Sequence, residues 1–223
     1  AVSDPKHAND PLIKETQRLI AGDWTKRSAT ELAGLLGHAD WRVRLEAQYT
    51  LAERGAASIA TLAAAAAPGS AAAPGRNAEY ARRHAIWALG QIAATDKSAL
   101  APVRTLLADR DAEVRAQAIK VLGELRVASD APALIAALKD GSERVKFFAA
   151  QGLGKLTAGR PELAAQAGPA LLAALEANNN ADAYVRHALV MALTGGNHAA
   201  TLAAASTHAS PAVRLGALLA LRR

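Results

Sequence analysis

The chain contains no cysteine among its 223 residues. That excludes disulfides, thiolate metal ligands, a thiol nucleophile and a covalently attached c-type haem, and it leaves the compartment open. Aromatic residues are almost as scarce, at 4% of the sequence against a hydrophobic share of 51%. A core so poor in bulky rings has to be filled by Ala, Leu and Val. The first two favour close-packed helices over a sheet, so an all-α fold is expected. Long apolar runs are missing too, since the Ala-rich stretch at 62–67 is closed by Pro68-Gly69. That falls far short of the roughly 20 residues that span a bilayer, and no membrane insertion is expected. No basic segment followed by an apolar one marks a signal peptide, and the chain begins Ala1-Val2-Ser3 without an initiator Met. A processed or excised piece of a longer protein is therefore expected, which would hide any targeting signal.

What the chain does have is a phrase used six times. An aliphatic or small residue is followed by a basic one, a small or aliphatic residue comes three further on, and a leucine four beyond that. The copies are Val43-Arg44, Ala81-Arg82, Val114-Arg115, Val145-Lys146, Val185-Arg186 and Val213-Arg214, with leucines at 51, 89, 122, 153, 193 and 221. Successive copies lie 38, 33, 31, 40 and 28 residues apart. Self-similarity at such periods signals stacked helical pairs. Within a copy, Val114, Ala118, Val121, Leu122 and Leu125 share one face at helical spacing, so the phrase opens the second helix of each pair. Polar caps are expected at Asp40, Asp111, Ser142, Asp182 and Ser210, with Pro211 in the first turn of the last helix.

First helices, shorter and rich in Ala and Leu, are expected near 29–36, 56–66, 98–108, 130–139, 162–176 and 198–207. Ahead of them Pro11 to Ala21 reads as an amphipathic cap, with Leu12, Ile13, Thr16, Leu19 and Ile20 inward. The expected organisation is a capping helix and linker over 1–27 and one continuous right-handed α-solenoid of six pairs over 28–223. The Pro- and Gly-rich segment 68–77 is expected to be an exposed, mobile loop. The last helix keeps Val213, Leu215, Leu218, Leu219 and Leu221, although a terminal repeat needs a polar outer face. A following domain or another subunit is expected against it.

Runs such as Asp40-Trp41-Arg42-Val43-Arg44-Leu45-Glu46-Ala47 and Asp111-Ala112-Glu113-Val114-Arg115-Ala116-Gln117-Ala118 resemble bacterial HEAT repeats of the phycobilisome-lyase-like type, over about 28–222. The resemblance implies that the repeat arginine pairs with an acidic residue of a neighbouring repeat. A narrower resemblance, carried by His38 to Arg44, Leu51 to Gly55 and Arg83 to Gln91, is to the HEAT segment of large exported bacterial proteins. In those, a sugar-dehydrogenase-like propeller precedes the repeats and a cytochrome c domain follows. It implies a periplasmic or exported middle module; without it, the cytoplasm is the expected place.

Net charge is +6. Clustered Lys and Arg would suit nucleic acid, but these are dispersed, and Arg44, Arg82, Arg115, Arg186 and Arg214 belong to the phrase itself. Second helices usually line the concave surface of such arrays. If positions −1, three, seven and ten from the basic residue are buried, positions two, five and nine form an exposed stripe. It reads Glu46, Tyr49 and Glu53, then His84, Trp87 and Gln91, then Gln117, Lys120 and Glu124, then Phe148, Gln151 and Lys155. Tyr49, Trp87 and Phe148 are the residue types that anchor protein interfaces.

The histidines at 7, 38, 84, 187, 198 and 208 form no His-x-x-x-His pair and no His-Glu motif, so no metal site is expected. Glu46, Glu53 and Glu124 are isolated, and there is no phosphate-loop or dinucleotide signature, so neither cofactor nor catalysis is expected. Gly90, Gly123 and Gly154 share one repeat position, which suggests close helix contact. The expected function is non-catalytic: a scaffold or spacer bound to a protein partner or to adjacent domains of the same polypeptide. The alternative is nucleic-acid binding through the concave face, as in DNA-repair proteins of HEAT-like fold, with Trp87, Arg83 and Lys120 contacting the strand.

Overall fold

The computed structural model describes residues 10–70, 77–196 and 198–222. These hold α1 (Pro11–Ala21), α2 (Ala29–Leu35), α3 (Trp41–Glu53), α4 (Ile59–Ala66), α5 (Ala78–Ala93), α6 (Leu100–Thr105), α7 (Ala112–Leu125), α8 (Ala131–Ala137), α9 (Glu143–Thr157), α10 (Pro161–Asn178), α11 (Ala183–Gly195), α12 (Ala199–Ala205) and α13 (Pro211–Leu221). No strand occurs among the described residues. After α1, six pairs follow in chain order, from α2 and α3 to α12 and α13, and the first helix is the shorter in every pair but one: α10, expected to be the shorter partner, has 18 residues against 13 for α11. The fold class is an α-solenoid of repeated helical pairs, as the phrase implies. Residues 71–76 of the expected loop lie outside the described residues. Of its remainder, Pro68 and Gly69 are exposed, and Gly69 takes a φ of 70°.

The helix ends follow from local chemistry. Asp40, Asp111 and Asp182 each accept a hydrogen bond from the backbone N–H two residues on, at 2.8 Å, as cap residues do. Ser142 and Ser210 stand at the cap position without a capping bond. The cap residue's own N–H is taken by the residue two places earlier, at Ser142 by Asp140 Oδ1 at 2.8 Å and at Ser210 by His208 Nδ1 at 3.1 Å, as it is at Asp40 by His38 and at Asp111 by Asp109.

By its contacts the chain divides into two compact units, Ala1–Arg104 and Thr105–Arg223. In the first, α2 packs on α3, α4 on α5, and α3 lies along α5, while α1 rests on α3. Leu32, Leu36, Val43, Ala47, Leu51, Leu62, Ala85 and Leu89 are sealed from solvent between them. Because α1 meets essentially one neighbour, its buried stripe is narrow. Thr16 and Leu19 are buried, whereas Leu12 and Ile20, expected inward, are exposed.

In the second unit α7, α9, α11 and α13 lie side by side in that order, with α8, α10 and α12 behind them. The apolar residues of the phrase are buried in every copy but for Leu221, which is 50% exposed at the end of α13, and the basic residue is partly buried in each. Leu215, Leu218 and Leu219 share that exposure.

The side-by-side contacts are backbone to backbone. A Cβ placed on Gly123 would stand 2.5 Å from the Gly152 Cα, and one on Gly154 would stand 2.9 Å from the Ala192 Cα. Any side chain at these positions would force the helices apart. Gly123→Ala should therefore destabilise the protein by about 1–3 kcal/mol through overpacking, outweighing the ~1 kcal/mol gained in helix propensity. Gly141→Ala, in a turn with open space around it, should cost nothing comparable. Urea midpoints of the two variants check this, and equal midpoints would remove close helix contact as the reason for these glycines.

Candidate interaction surface

Three of the repeat arginines tie the start of a second helix to the turn before it, whereas Arg82 Nε donates to the Ala66 carbonyl at 2.8 Å. Arg44 Nη1 donates to the carbonyls of His38 and Ala39 at 2.7 and 2.9 Å. Arg115 does the same to Asp109 and Arg110 at 2.8 and 3.2 Å, and Arg214 to His208 and Ala209 at 2.6 and 2.8 Å. Each of these arginines thus reaches back to the carbonyls six and five residues before it, tying its helix to the turn that precedes it. Charge-assisted bonds of this kind leave the guanidinium little freedom.

The carboxylate partner implied by the resemblance appears at Arg115. Its Nε and Nη2 grip the two oxygens of Asp140 in the following repeat at 2.8 and 2.9 Å. That guanidinium holds the Asp140 carboxyl below the usual carboxylate range. Arg44 differs: its Nε donates to His84 Nε2 at 3.2 Å, and its guanidinium lies 4.5 Å from the centre of the Tyr80 ring.

His84 is where the stripe departs from the simple helical pattern. Only 6% of it is exposed, and it sits between α3 and α5. Its Nε2 accepts from Arg44, so its Nδ1 carries the proton and donates to Gln48 Oε1 at 2.7 Å. Gln48 Nε2 then donates to Gln91 Oε1 at 3.1 Å. The result is a polar chain from Arg44 through His84 and Gln48 to Gln91, pinning α3 to α5. Burial, then the charges of Arg44 and Arg83, pushes the His84 pKa down to about 4.

Gln117, at the same repeat position, is likewise buried, at 4% exposure, and donates to Glu113 Oε1 at 2.7 Å. Phe148 is half-buried, and Glu46 alone of the four is open to solvent. A second helix in an array is flanked by the second helices before and after it. Its buried arc is consequently wider than one amphipathic face, and position two falls inside it.

The rest of the stripe differs between the units. On α3 and α5, Glu46, Tyr49, Glu53 and Gln91 are exposed, Tyr49 by 45%, and Trp87 is half-buried with its ring edge-on to His84 at 4.9 Å. On α7 and α9 the residues satisfy one another. Lys155 pairs with Glu124. The Lys120 ammonium and the Arg144 guanidinium lie 5.7 and 5.1 Å from the centre of the Phe148 ring. Gln151 stands exposed beside them.

Tyr80 and Tyr184 are further exposed aromatics outside the stripe, Tyr184 by 78%. With Phe147, Glu143, Arg144, Asp182 and Val185, Tyr184 lines a hollow of about 290 Å³. Both tyrosines precede their repeat arginine by two residues, a recurrence the sequence carries in Tyr80-Ala81-Arg82 and Tyr184-Val185-Arg186. Among the described residues no group of three or more His, Cys, Asp or Glu side chains could hold a metal ion. No helix there is long and apolar enough to cross a membrane.

Side-by-side second helices, first helices packed behind them and arginine-tied turns define a helical-repeat protein. A family model of HEAT repeats matches residues 71–154 and 100–194, together more than half of the chain. The chain belongs to the HEAT-repeat family. Among solved structures it is similar to the complex of CpcE and CpcF of phycocyanin lyase from Nostoc sp.. The identity there is 20% and the TM-score 0.51, over 73% of this chain and 63% of that one. A designed armadillo repeat protein in complex with the peptide (KR)4 gives 20% identity and a TM-score of 0.49, over 88% of this chain and 99% of that one. An engineered protein gives 20% and 0.49 over 88% and 98%. At such identities the likeness concerns the fold alone. No curated protein matches the chain. The fold is compatible with a protein-interaction scaffold.

The buried histidine predicts a pH dependence. Its folded pKa of about 4 lies below the ordinary 6.5, so on acidification the unfolded chain takes up the proton first. The stability held by neutral His84 is complete above pH 6.5 and is lost as the pH falls toward 4. The loss should amount to roughly 2–3 kcal/mol. His84→Gln, which keeps an acceptor for Arg44 and a donor for Gln48, should flatten that fall when urea unfolding is followed across this range. Parallel curves for the two proteins would mean that His84 is not held neutral by the fold. His198, also pushed down by burial, titrates in both proteins and cancels in the comparison.

Proposed function

We propose that this chain is a non-catalytic interaction or spacer module whose partner docks on the second-helix face of the first unit. The partner is a separate protein or an adjacent domain of the same polypeptide. An exported parent with a propeller before the repeats and a cytochrome c domain after them is one form of the second case. The observation that carries the reading is the setting of Tyr49 and Trp87. Both stand on helices pinned together by the chain from Arg44 to Gln91, so the aromatic groups are held in place before anything binds. A preordered anchor loses little entropy on association, which is what lets a few aromatic contacts dominate an interface.

Glu46 and Glu53, exposed on the same helix as Tyr49, favour a partner surface with basic groups around an apolar centre. The same two carboxylates oppose a phosphate backbone and so weigh against nucleic acid. The matching face of the second unit contributes less, because Lys155, Glu124, Lys120 and Phe148 are already engaged with one another.

The test is affinity capture with the wild-type chain and with the double variant Tyr49→Ala and Trp87→Ala, whose far-UV circular dichroism should stay unchanged. A partner retained by the wild type should be lost from the variant. Equal recovery would remove this face from the interface, and firm retention of the wild type on immobilised DNA at moderate salt would favour the nucleic-acid alternative.

A further inference from the structure

The grooves between successive second helices of the second unit are finished differently. Between α7 and α9 the backbones touch at Gly123 and Gly152, and the pair of Lys155 with Glu124 closes the surface. Between α11 and α13 a hollow of about 320 Å³ remains, lined by Arg186, His187 and Val190 on one side and Leu219 and Arg222 on the other. Its floor is aliphatic and its rim carries two guanidinium groups and an imidazole. Among the described residues no side-chain carboxylate lines it.

The repeat supplies an internal comparison. Arg115 grips Asp140, which stands six residues before the basic residue of the next repeat, Lys146. The same position in the repeat after Arg186 is His208, six residues before Arg214. The His208 Nδ1 is taken by the Ser210 N–H. Arg186 reaches Asn180 Oδ1 at 3.5 Å, the outer limit of a hydrogen bond. The carboxylate that the pattern gives to Arg115 is thus absent from Arg186. A guanidinium presents paired donors whose fork matches a carboxylate in two-point contact.

We infer that the groove between α11 and α13 is a docking site for an acidic, aliphatic segment of a partner polypeptide. A carboxylate of that segment is held by Arg186 and Arg222, and a neighbouring aliphatic side chain rests on Val190 and Leu219. The volume is at the small end for ligand sites and suits one or two side chains of a peptide better than a whole small molecule. Charge complementarity selects the occupant: a basic segment would meet only like charge at the rim, and an uncharged apolar one would leave both guanidinium groups unmatched. The inference goes beyond the proposed function, because it concerns the second unit and shares no residue with Tyr49 and Trp87.

The test is fluorescence anisotropy with a labelled peptide of alternating Glu and Leu and with its Gln and Leu counterpart. The wild-type chain should bind the acidic peptide, less tightly as salt is raised, and bind the Gln peptide far more weakly. Arg186→Gln and Arg222→Gln should each weaken binding about tenfold. Arg222, exposed at the end of α13, can be changed without disturbing the core, so its variant reports on binding even if Arg186→Gln loosens the fold. The variant Tyr49→Ala with Trp87→Ala should bind the acidic peptide as the wild type does, which keeps the two readings separable. No binding by the wild type, equal binding of the Gln peptide, or unchanged affinity in both arginine variants would overturn the inference.

Discussion

How near one second helix can come to the next governs the rest of this structure. At Gly123 against Gly152, and Gly154 against Ala192, there is no room for a side chain between the backbones. Approach on this scale turns the three amphipathic helices α7, α9 and α11 into a continuous layer. It also makes the flanks of each helix part of the interior, so that polar groups caught there must find partners within the protein. The turns tied by Arg44, Arg115 and Arg214 complement it, each fixing the start of a second helix to the residues that precede it.

The chain from Arg44 through His84 and Gln48 to Gln91 is a product of that constraint. A histidine lodged between two close helices cannot keep its water, and with two guanidinium groups nearby it stays neutral and becomes a link in a hydrogen-bonded series. Fully satisfied buried networks of this type specify one arrangement of their neighbours. In the second unit the same position holds Gln117, bonded within its own helix, and ion pairs and cation–π contacts cover the face. The two units therefore present different surfaces from one repeat plan, one with Tyr49 exposed and Trp87 half-buried on helices pinned together, and one with Lys155, Glu124, Lys120 and Phe148 engaged with one another.

Much of the fold was legible in the sequence. The first helix was read at its observed limits, five of the six second helices begin where Asp40, Asp111, Ser142, Asp182 and Ser210 place them, and the spacing of Gly123 and Gly154 announced their contacts. What the periodicity of a single helix does not contain is the neighbour on either side. For that reason position two was read as exposed at His84 and Gln117, while the structure buries both. The same limit hid the role of the repeat arginines. The resemblance implied an acidic partner, found for Arg115 at Asp140, whereas the carbonyls five and six residues back are invisible to side-chain patterns. Leu12 and Ile20 failed in the opposite sense, because α1 has too few neighbours to bury a full stripe.

The central claim is that position two at His84 and Gln117 belongs to the contact between second helices, and position five at Tyr49, Lys120 and Gln151 to solvent. A chain without cysteine allows this to be measured directly, by introducing single cysteines and timing their reaction with a thiol reagent under native conditions. Tyr49→Cys, Lys120→Cys and Gln151→Cys should label at the rate of an exposed thiol. His84→Cys and Gln117→Cys should react about a hundredfold more slowly, the protection expected when labelling needs a local opening of about 3 kcal/mol. Labelling of all five at one rate would contradict the account.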